Sequence, residues 1–250
     1  MADCDWKVSV LLTGSWRGAT SVLLSNRRHH IVVDTGLPHE AHQLVSALKE
    51  KGLAPSDISA VINTHFHVDH VMNNCLFPQS LIYASQQSHD WCLAMYADVA
   101  DPSHWERRAL KYYPETLDYE QARNNMGWLR KFALRWWDVK RLGEPSRFRW
   151  METQPLPEGL ETLVTTGHVP GHTSIIVGGE TRTVIAADAL LSREHNEQVL
   201  TMIPYNRAQY QLDRARLLAL GGYILPGHDR GFLVDAHAGG EETPDAPCGP

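Results

Sequence analysis

Short apolar runs separated by turn residues set the rhythm of this chain. In its first third, "KVSVLLTGS", "ATSVLLS" and "HHIVVDTG" are β-branched and apolar, with Gly, Asn and Asp between them, which predicts three strands. "PHEAHQLVSALKEKG" changes the period: Ala41, Leu44, Val45 and Leu48 recur at helical spacing and Gly52 follows as a stop signal. "ISAVINTHFH" and "SLIYAS" predict two more strands, the first of which delivers a group of histidines at its C-terminal end. Later, "ETLVTTGH", "TSIIVGG" and "TVIAADAL" read as strands, Ala208 to about Leu220 as a helix, and "YILPGH" as a short strand. Two halves, each of strands plus helices with strands that run into histidines, predict a layered α/β (α+β) domain rather than a parallel doubly wound sheet.

Between these halves the pattern changes. Residues 90 to 150 hold six of the eight tryptophans, namely Trp91, Trp105, Trp128, Trp136, Trp137 and Trp150. A helix is predicted from about Tyr119 to Lys140, with Met126, Leu129, Phe132/Ala133 and Trp136 on one stripe. The expected organisation is a single domain over residues 1–250, with a helical insertion at about 90–150 and a loose Gly/Pro/acid-rich tail at about 236–250.

Composition narrows the function classes. A chain of 250 residues, 43% hydrophobic, can bury a full core. Its net charge of −6 exerts no global pull on nucleic acid or anionic membrane, so neither is expected as a partner. No run approaches the roughly 18 apolar residues that would suggest a membrane span. The start "MADCDWKVSV" carries acids where a signal peptide would carry lysine, and Cys4, Cys75, Cys92 and Cys248 are scattered. A reducing, cytoplasmic setting is expected.

The chemistry concentrates in "NTHFHVDHVMNN", residues 63 to 74. Imidazole nitrogen and carboxylate oxygen both ligate metals such as zinc at about 2.0–2.2 Å. His65 and His67, two apart on an extended strand end, project to the same side, and Asp69 and His70 follow where the chain must turn. That is too many ligands for one tetrahedral ion with an open position, and a pair of ions is the economical reading. Downstream, "TTGHVPGH", "AADAL" and "LPGH" add His168, His172, Asp188 and His228 at further strand ends. The isolated His29, His30, His39, His42, His89, His104, His195 and His237 read as ordinary histidines.

In this series the chain resembles the metallo-β-lactamase superfamily, whose members carry T-H-x-H-x-D-H, then T-P-G-H, then a strand-ending Asp, then G-H. The match runs from Asp34 in "VVDTG" to His228. The resemblance implies an αβ/βα sandwich of two mixed sheets between helices, with two divalent metal ions at one edge, zinc first, with manganese or iron as alternatives. It implies that His65, His67 and a later histidine hold the first ion, that Asp69, His70 and His228 hold the second, and that Asp188 bridges them. Of the two later histidines, His168 fits the family's slot directly after the strand, with Gly167 permitting the turn. His172 is left beside the site. Asp34 matches an acidic residue the family places behind the metals, where it bonds a ligand or orients the motif loop. Asp69 is the candidate to accept a proton as the intermediate breaks down.

The activity this implies is hydrolysis of an ester, thioester or lactone by a water that the metals activate. Asp188 together with Asp69 and His70 resembles the glyoxalase II-type thioesterase, lactonase and phosphodiesterase members. "NCLFPQSLIYAS", "VTTGH" and "ILPGHDRGF" look most like the small hydrolase-like members typified by metallo-β-lactamase domain-containing protein 1. True β-lactamases of the superfamily put Cys or Ser at the position of Asp188, which disfavours antibiotics as substrates. The alternatives are a phosphodiesterase or nuclease and, further off, a β-lactamase or an iron-dependent sulfur oxygenase.

Three departures carry expectations of their own. Val71-Met72-Asn73-Asn74 stands where the family often has Gly-Gly-Asn, which should stiffen this loop and narrow the approach to the metals. Leu191 stands where one type of lactonase has a tyrosine. From His104 to Arg149 the chain has 11 Lys/Arg and 6 Asp/Glu, a net of +5, so the insertion is expected either to receive a small anionic substrate with an apolar part or to build a homodimer.

Overall fold

Alternation along the strands decides the layers. The computed structural model describes residues 5–15, 17–118, 120–179, 181–194 and 204–235; the expected tail, Cys4, Cys248, His195 and His237 lie outside them. The first sheet runs β1 (Lys7–Leu12), β2 (Ser21–Ser25), β3 (His30–Val33), β4 (Ala60–Asn63), β5 (Leu81–Ala84) and β6 (Phe148–Trp150) in that order. Its β1–β2–β3 hairpins are antiparallel and the pairs from β3 to β6 are parallel. Val22 and Leu24, Ile31 and Val33, and Ala60 and Ile62 share one apolar cluster, whereas Leu23, Val32 and Val61 between them belong to another. A strand whose residues are apolar on both faces is buried on both.

The second sheet holds β7 (Leu160–Val164), β8 (Thr173–Val177), β9 (Thr183–Ala187), β10 (Gly222–Pro226) and β11 (Phe232–Val234), in the order β11-β10-β9-β8-β7. Leu160, Ile175, Val177, Ile185 and Leu225 meet the inner residues of the first sheet. Val184, Ala186 and Ile224 turn outward under Leu217 of helix α6 (Arg207–Ala219). Leu44 and Leu48 of α1 (Ala41–Glu50) cover the far face of the first sheet with Leu23, Val32 and Val61. The result is the αβ/βα sandwich, helix–sheet–sheet–helix, and each fully buried Val, Leu or Ile contributes about 1.5–3 kcal/mol to holding it together.

The segment between β5 and β6 forms three helices, where the sequence pattern picked out one. After the single turn α2 (Val68–Val71) come α3 (Gln86–Ala100), α4 (Trp105–Tyr112) and α5 (Glu120–Trp136). α3 begins at Ser85, whose hydroxyl accepts from Ser88 N at 3.3 Å, and it buries Ser88, Cys92, Met95, Tyr96 and Val99. Ser88 and Cys92 blunt that stripe as an apolar signal, which is why the period is hard to see in the sequence. The helical part also begins before residue 90, and its last residues, Phe148–Trp150, form an edge strand of the first sheet. A cluster of Phe66, Val68, Val71, Met72, Met95, Tyr96 and Val99 ties these helices to the loop that carries the histidine motif. Among the described residues no helix is long and apolar enough to cross a membrane.

Candidate metal centre

Five strand ends converge on one place. β3 runs into Asp34, β4 into Thr64 to His70, β7 into Thr165 to His172, β9 into Asp188 and β10 into Gly227-His228. Two of these ends leave the sheet through strained backbone: Asp34 and Ala187 have φ of 54° and 47°, a left-handed conformation that costs a non-glycine residue of order 1–3 kcal/mol. β9 and β10 are held in step past their ends, where Gly227 N donates to Ala187 O at 2.9 Å and His228 N to Leu191 O at 2.8 Å. Gly227 is obligatory, because a Cβ there would lie 2.1 Å from Asp188 Oδ1. The chain therefore presses the carboxylate of Asp188 against the residue before His228.

The side chains sort into two groups. His65, His67, His168 and Asp188 each offer a ligand atom, all within 4.8 Å of one another, and Asp69, His70 and His228 form a second such set. Asp188 faces both. Its Oδ2 lies 3.2 Å from His168 Nε2 and 3.8 Å from His65 Nε2. Its Oδ1 lies 3.2 Å from His70 Nε2 and 3.3 Å from His228 Nε2. Asp69 Oδ2 closes the second group, 3.4 Å from His228 Nε2 and 3.9 Å from His70 Nε2. In the first group His67 Nδ1 lies 3.0 Å from His168 Nε2.

Four of the rings are anchored from behind, and for His65, His70 and His228 the anchor assigns the tautomer. His70 Nδ1 donates to Asp34 Oδ2 at 2.7 Å, and His228 Nδ1 donates to the Ser15 carbonyl at 2.7 Å. The Thr64 hydroxyl donates to Asp34 Oδ2 at 2.7 Å and so accepts from His65 Nδ1 at 3.1 Å. His67 turns its Nδ1 to the centre, and its Nε2 pairs with Tyr113 Oη at 2.9 Å. The inward atoms are left over: His65 Nε2, His70 Nε2, His228 Nε2 and both oxygens of Asp188 are buried without a hydrogen-bond partner. Five such atoms converging in one place would cost about 1–3 kcal/mol each if nothing satisfied them. Lone pairs of imidazole and carboxylate aimed at common points are the donor set of a divalent cation, and the outward bonds are those that orient metal-binding histidines. The residues present fit metal ions.

The electrostatics agree. Burial, then the neighbouring histidines, hold His65 and His67 well below the usual imidazole range, so both are neutral lone-pair donors. Burial also pushes His70 and His228 down, but the carboxylates of Asp188 and Asp69, joined at His70 by Asp34, outweigh it; His70 ends well above its ordinary value and His228 rises to about 9. Burial works against the Asp188 carboxylate, yet His228, His70 and His168 hold it well below the usual range. A pocket that stabilises positive charge so strongly stabilises a bound cation by the same field.

Of the two late histidines, His168 brings its Nε2 into the first group, whereas His172 belongs to neither. His172 Nδ1 pairs with Thr165 Oγ1 at 2.8 Å, and its ring centre stays 5.0 Å from that of His65. Gly167 lies in the turn that follows β7. It does not adopt a left-handed conformation; it lets the loop approach α6, where a Cβ would meet Tyr210 N at 2.2 Å. Gly167 N donates to the buried Asp213 at 2.9 Å, and Asn206 N and Tyr205 N bond the Gly167 and His168 carbonyls, each at 2.9 Å. The "VMNN" loop departs from expectation. Val71 and Met72 pack into the helical cluster rather than across the approach to the site, and Asn73 and Asn74 bond the Thr35, Leu37 and Leu142 carbonyls from inside.

Sequence reasoning missed four supports: Tyr113, Thr64, the Ser15 carbonyl and Asp213. Thr64 adjoins His65 and could have been read with it. Nothing local marks Tyr113 in "KYYP", because its role depends on how the insertion folds back.

A family model described as the metallo-β-lactamase superfamily matches residues 14–86, which include Asp34, His65, His67, Asp69 and His70. The human metallo-β-lactamase domain-containing protein 1 is 28% identical over 228 residues, covering 90% of this chain and 68% of the relative. The chain is thus similar to the metallo-β-lactamase superfamily, whose members are metal-dependent hydrolases. Solved structures agree on the fold. AidC, a dizinc quorum-quenching lactonase, superposes with a TM-score of 0.62 at 18% identity, over 92% of this chain and 80% of the other. A metallo-β-lactamase family protein from Thermus thermophilus gives 0.60 at 20% identity, over 92% and 75%.

Proposed function

We propose that this protein is a dinuclear metal-dependent hydrolase that cleaves an ester, thioester or lactone. The observation that carries the reading is the double-faced Asp188, with one oxygen toward His65 and His168 and the other toward His70 and His228. His65, His67 and His168 would hold the first ion, Asp69, His70 and His228 the second, and Asp188 both. Divalent ions held by these residues, zinc first, would supply the acidity that activates water near neutral pH and would polarise the carbonyl under attack. The chain's own share is orientation and proton traffic. Asp34, Thr64, Tyr113 and the Ser15 carbonyl fix the rings. Asp69, on the wall of the adjoining cavity, takes up the proton of the attacking water and returns it to the departing oxygen or sulfur.

The test is metal content by elemental analysis together with a panel of thioester, lactone, aryl ester and phosphodiester substrates. About two ions per chain and turnover of a carbonyl substrate are expected. A zinc- or manganese-saturated protein that never exceeds one ion sinks the dinuclear reading, and turnover confined to phosphodiesters sinks the carbonyl one.

A further inference from the structure

The space next to the ligands is walled almost entirely by hydrocarbon. His67, Asp69, His168 and His228 form one end of a cavity of about 170 Å³. The other end lies among the insertion helices, where Met95 and Val99 of α3, Trp105 of α4 and Trp128, Leu129 and Phe132 of α5 line it. Its cations among the described residues are Arg17, on the exposed loop before β2, and Arg130. Arg130 is committed elsewhere: Nε donates to the Val99 carbonyl at 2.6 Å, Nη2 to the Ala100 carbonyl at 3.2 Å, and the guanidinium lies 5.1 Å from the Trp105 ring centre. Among the described residues, none of the insertion's other basic side chains lines the cavity. Arg108 pairs with Asp101 at 2.8 Å and Lys111 with Asp98 at 3.1 Å, while Arg141 and Arg147 bond carbonyls of Met72, Ser80 and Phe77. Among the described basic residues of the insertion, Arg130 alone thus reaches the cavity wall, and with its guanidinium already bonded to two carbonyls an anionic substrate finds little there to receive it.

We propose that this wall is a subsite for an uncharged hydrocarbon arm, aliphatic or aryl, of the ester or lactone whose carbonyl sits at the metal-ligand end. The proposal rests on the hydrolase reading above and names its substrate class. Such an arm exchanges water for Met, Leu and aromatic surface and leaves no buried charge unpaired. By the transfer energy of a methylene, each added carbon should raise kcat/KM roughly two- to fourfold until the cavity is filled.

Two substrate series separate the two places an arm can be attached: 4-nitrophenyl esters from acetate to decanoate vary the acyl side, and γ-lactones from γ-valerolactone to γ-dodecalactone vary the alkoxide side. A rising slope in at least one series is expected. Ala109→Phe, which fills the cavity from α4, and Trp128→Ala, at a position 44% exposed and so cheap to truncate, should both flatten it. Leu212→Ala, at an exposed site on α6 outside the cavity, should keep it. Calorimetric titration with 2-decanone, which cannot be hydrolysed, reads the subsite without turnover; binding with a negative heat-capacity change, weakened at least tenfold by Ala109→Phe, is expected. If the ketone binds so and no carbonyl substrate turns over, the subsite stands and the hydrolase reading falls. If esters turn over with a flat slope and the ketone does not bind, or if an acyl chain ending in a carboxylate is preferred to its neutral counterpart, the subsite is overturned.

Discussion

The two ends of the cavity are built by opposite rules. At the sheet end almost every polar atom has an assigned direction: Asp34, Thr64, Ser15 and Tyr113 each bond the outward nitrogen of a different histidine ring, and the inward atoms converge. At the helix end direction matters little. Rings stack, Trp128 on Phe132 with centres 5.3 Å apart and Tyr96 on Trp137 at 3.9 Å, and the few polar groups are turned outward or tied to carbonyls. Lone pairs must be placed to a few tenths of an ångström to hold an ion, which strand ends locked in two sheets can do. Hydrocarbon packing is non-directional, so three helices between β5 and β6 suffice to shape the rest. Changes at the sheet end should therefore remove metal, and changes at the helix end should alter which substrate is taken.

The harshest break of that contrast is Asp188→Ala. It removes the one group that faces both sets, so metal content should fall from about two ions to one or fewer and hydrolysis by about 10³-fold. Elemental analysis and steady-state rates check both. Retention of two ions would mean that the two sets are independent.

A sharper cut separates neighbours on the same loop. His168→Ala should lose an ion and nearly all activity, because its Nε2 lies among the first set. His172→Ala should keep both ions and lose thermal stability instead, since it empties a buried space and strands Thr165 Oγ1. Loss of metal only in the second variant would reverse the assignment.

How much of this the sequence could tell follows the same divide. The sheet end was legible because its ligands sit in short motifs at strand ends: His65 to His70 in one run, then "TTGH", "AADAL" and "LPGH". Alternating and all-apolar runs gave the strands, and with them the sandwich. Hidden were the supports whose partners are far along the chain, such as Tyr113 reaching 46 residues back to His67, or Asp213 holding Gly167 from another helix. Hidden too was the polarity of the insertion. Its charge count is read from a line of residues, whereas the cavity sees only the side chains that fold inward, and apart from Arg130 those are mostly aliphatic and aromatic. α3 escaped because Ser88 and Cys92 occupy its buried stripe.

Tyr113→Phe tests the one place where the helix end reaches into the sheet end. The ring, packed edge-on to Trp91 with centres 5.4 Å apart, should stay, while the hydrogen-bond partner of His67 Nε2 goes. Loss of such an outer partner should weaken metal affinity about tenfold, measured by chelator competition, with little change in melting temperature. An unchanged affinity would show that Tyr113 only packs, and a loss as large as that of Asp188→Ala would make it part of the metal site rather than a support.

The smallest effect is expected where the sequence pointed most directly at charge. Arg107 and Arg108 belong to the basic insertion, and as a count they suggest a receptor for an anionic substrate. In the fold neither lines the cavity, and Arg108 is paired with Asp101 and bonded to the Asp98 carbonyl, on the outside of the α3–α4 corner. The double variant Arg107→Glu, Arg108→Glu should therefore change KM for a neutral ester by less than about twofold, because exposed charges at this distance are screened by solvent and salt. It should lower melting temperature slightly, through the lost pair with Asp101 and the new repulsion. A severalfold rise in KM that shrinks at high salt would mean that the outer charges steer substrate after all, and the division between a directional floor and a largely apolar wall would have to be redrawn.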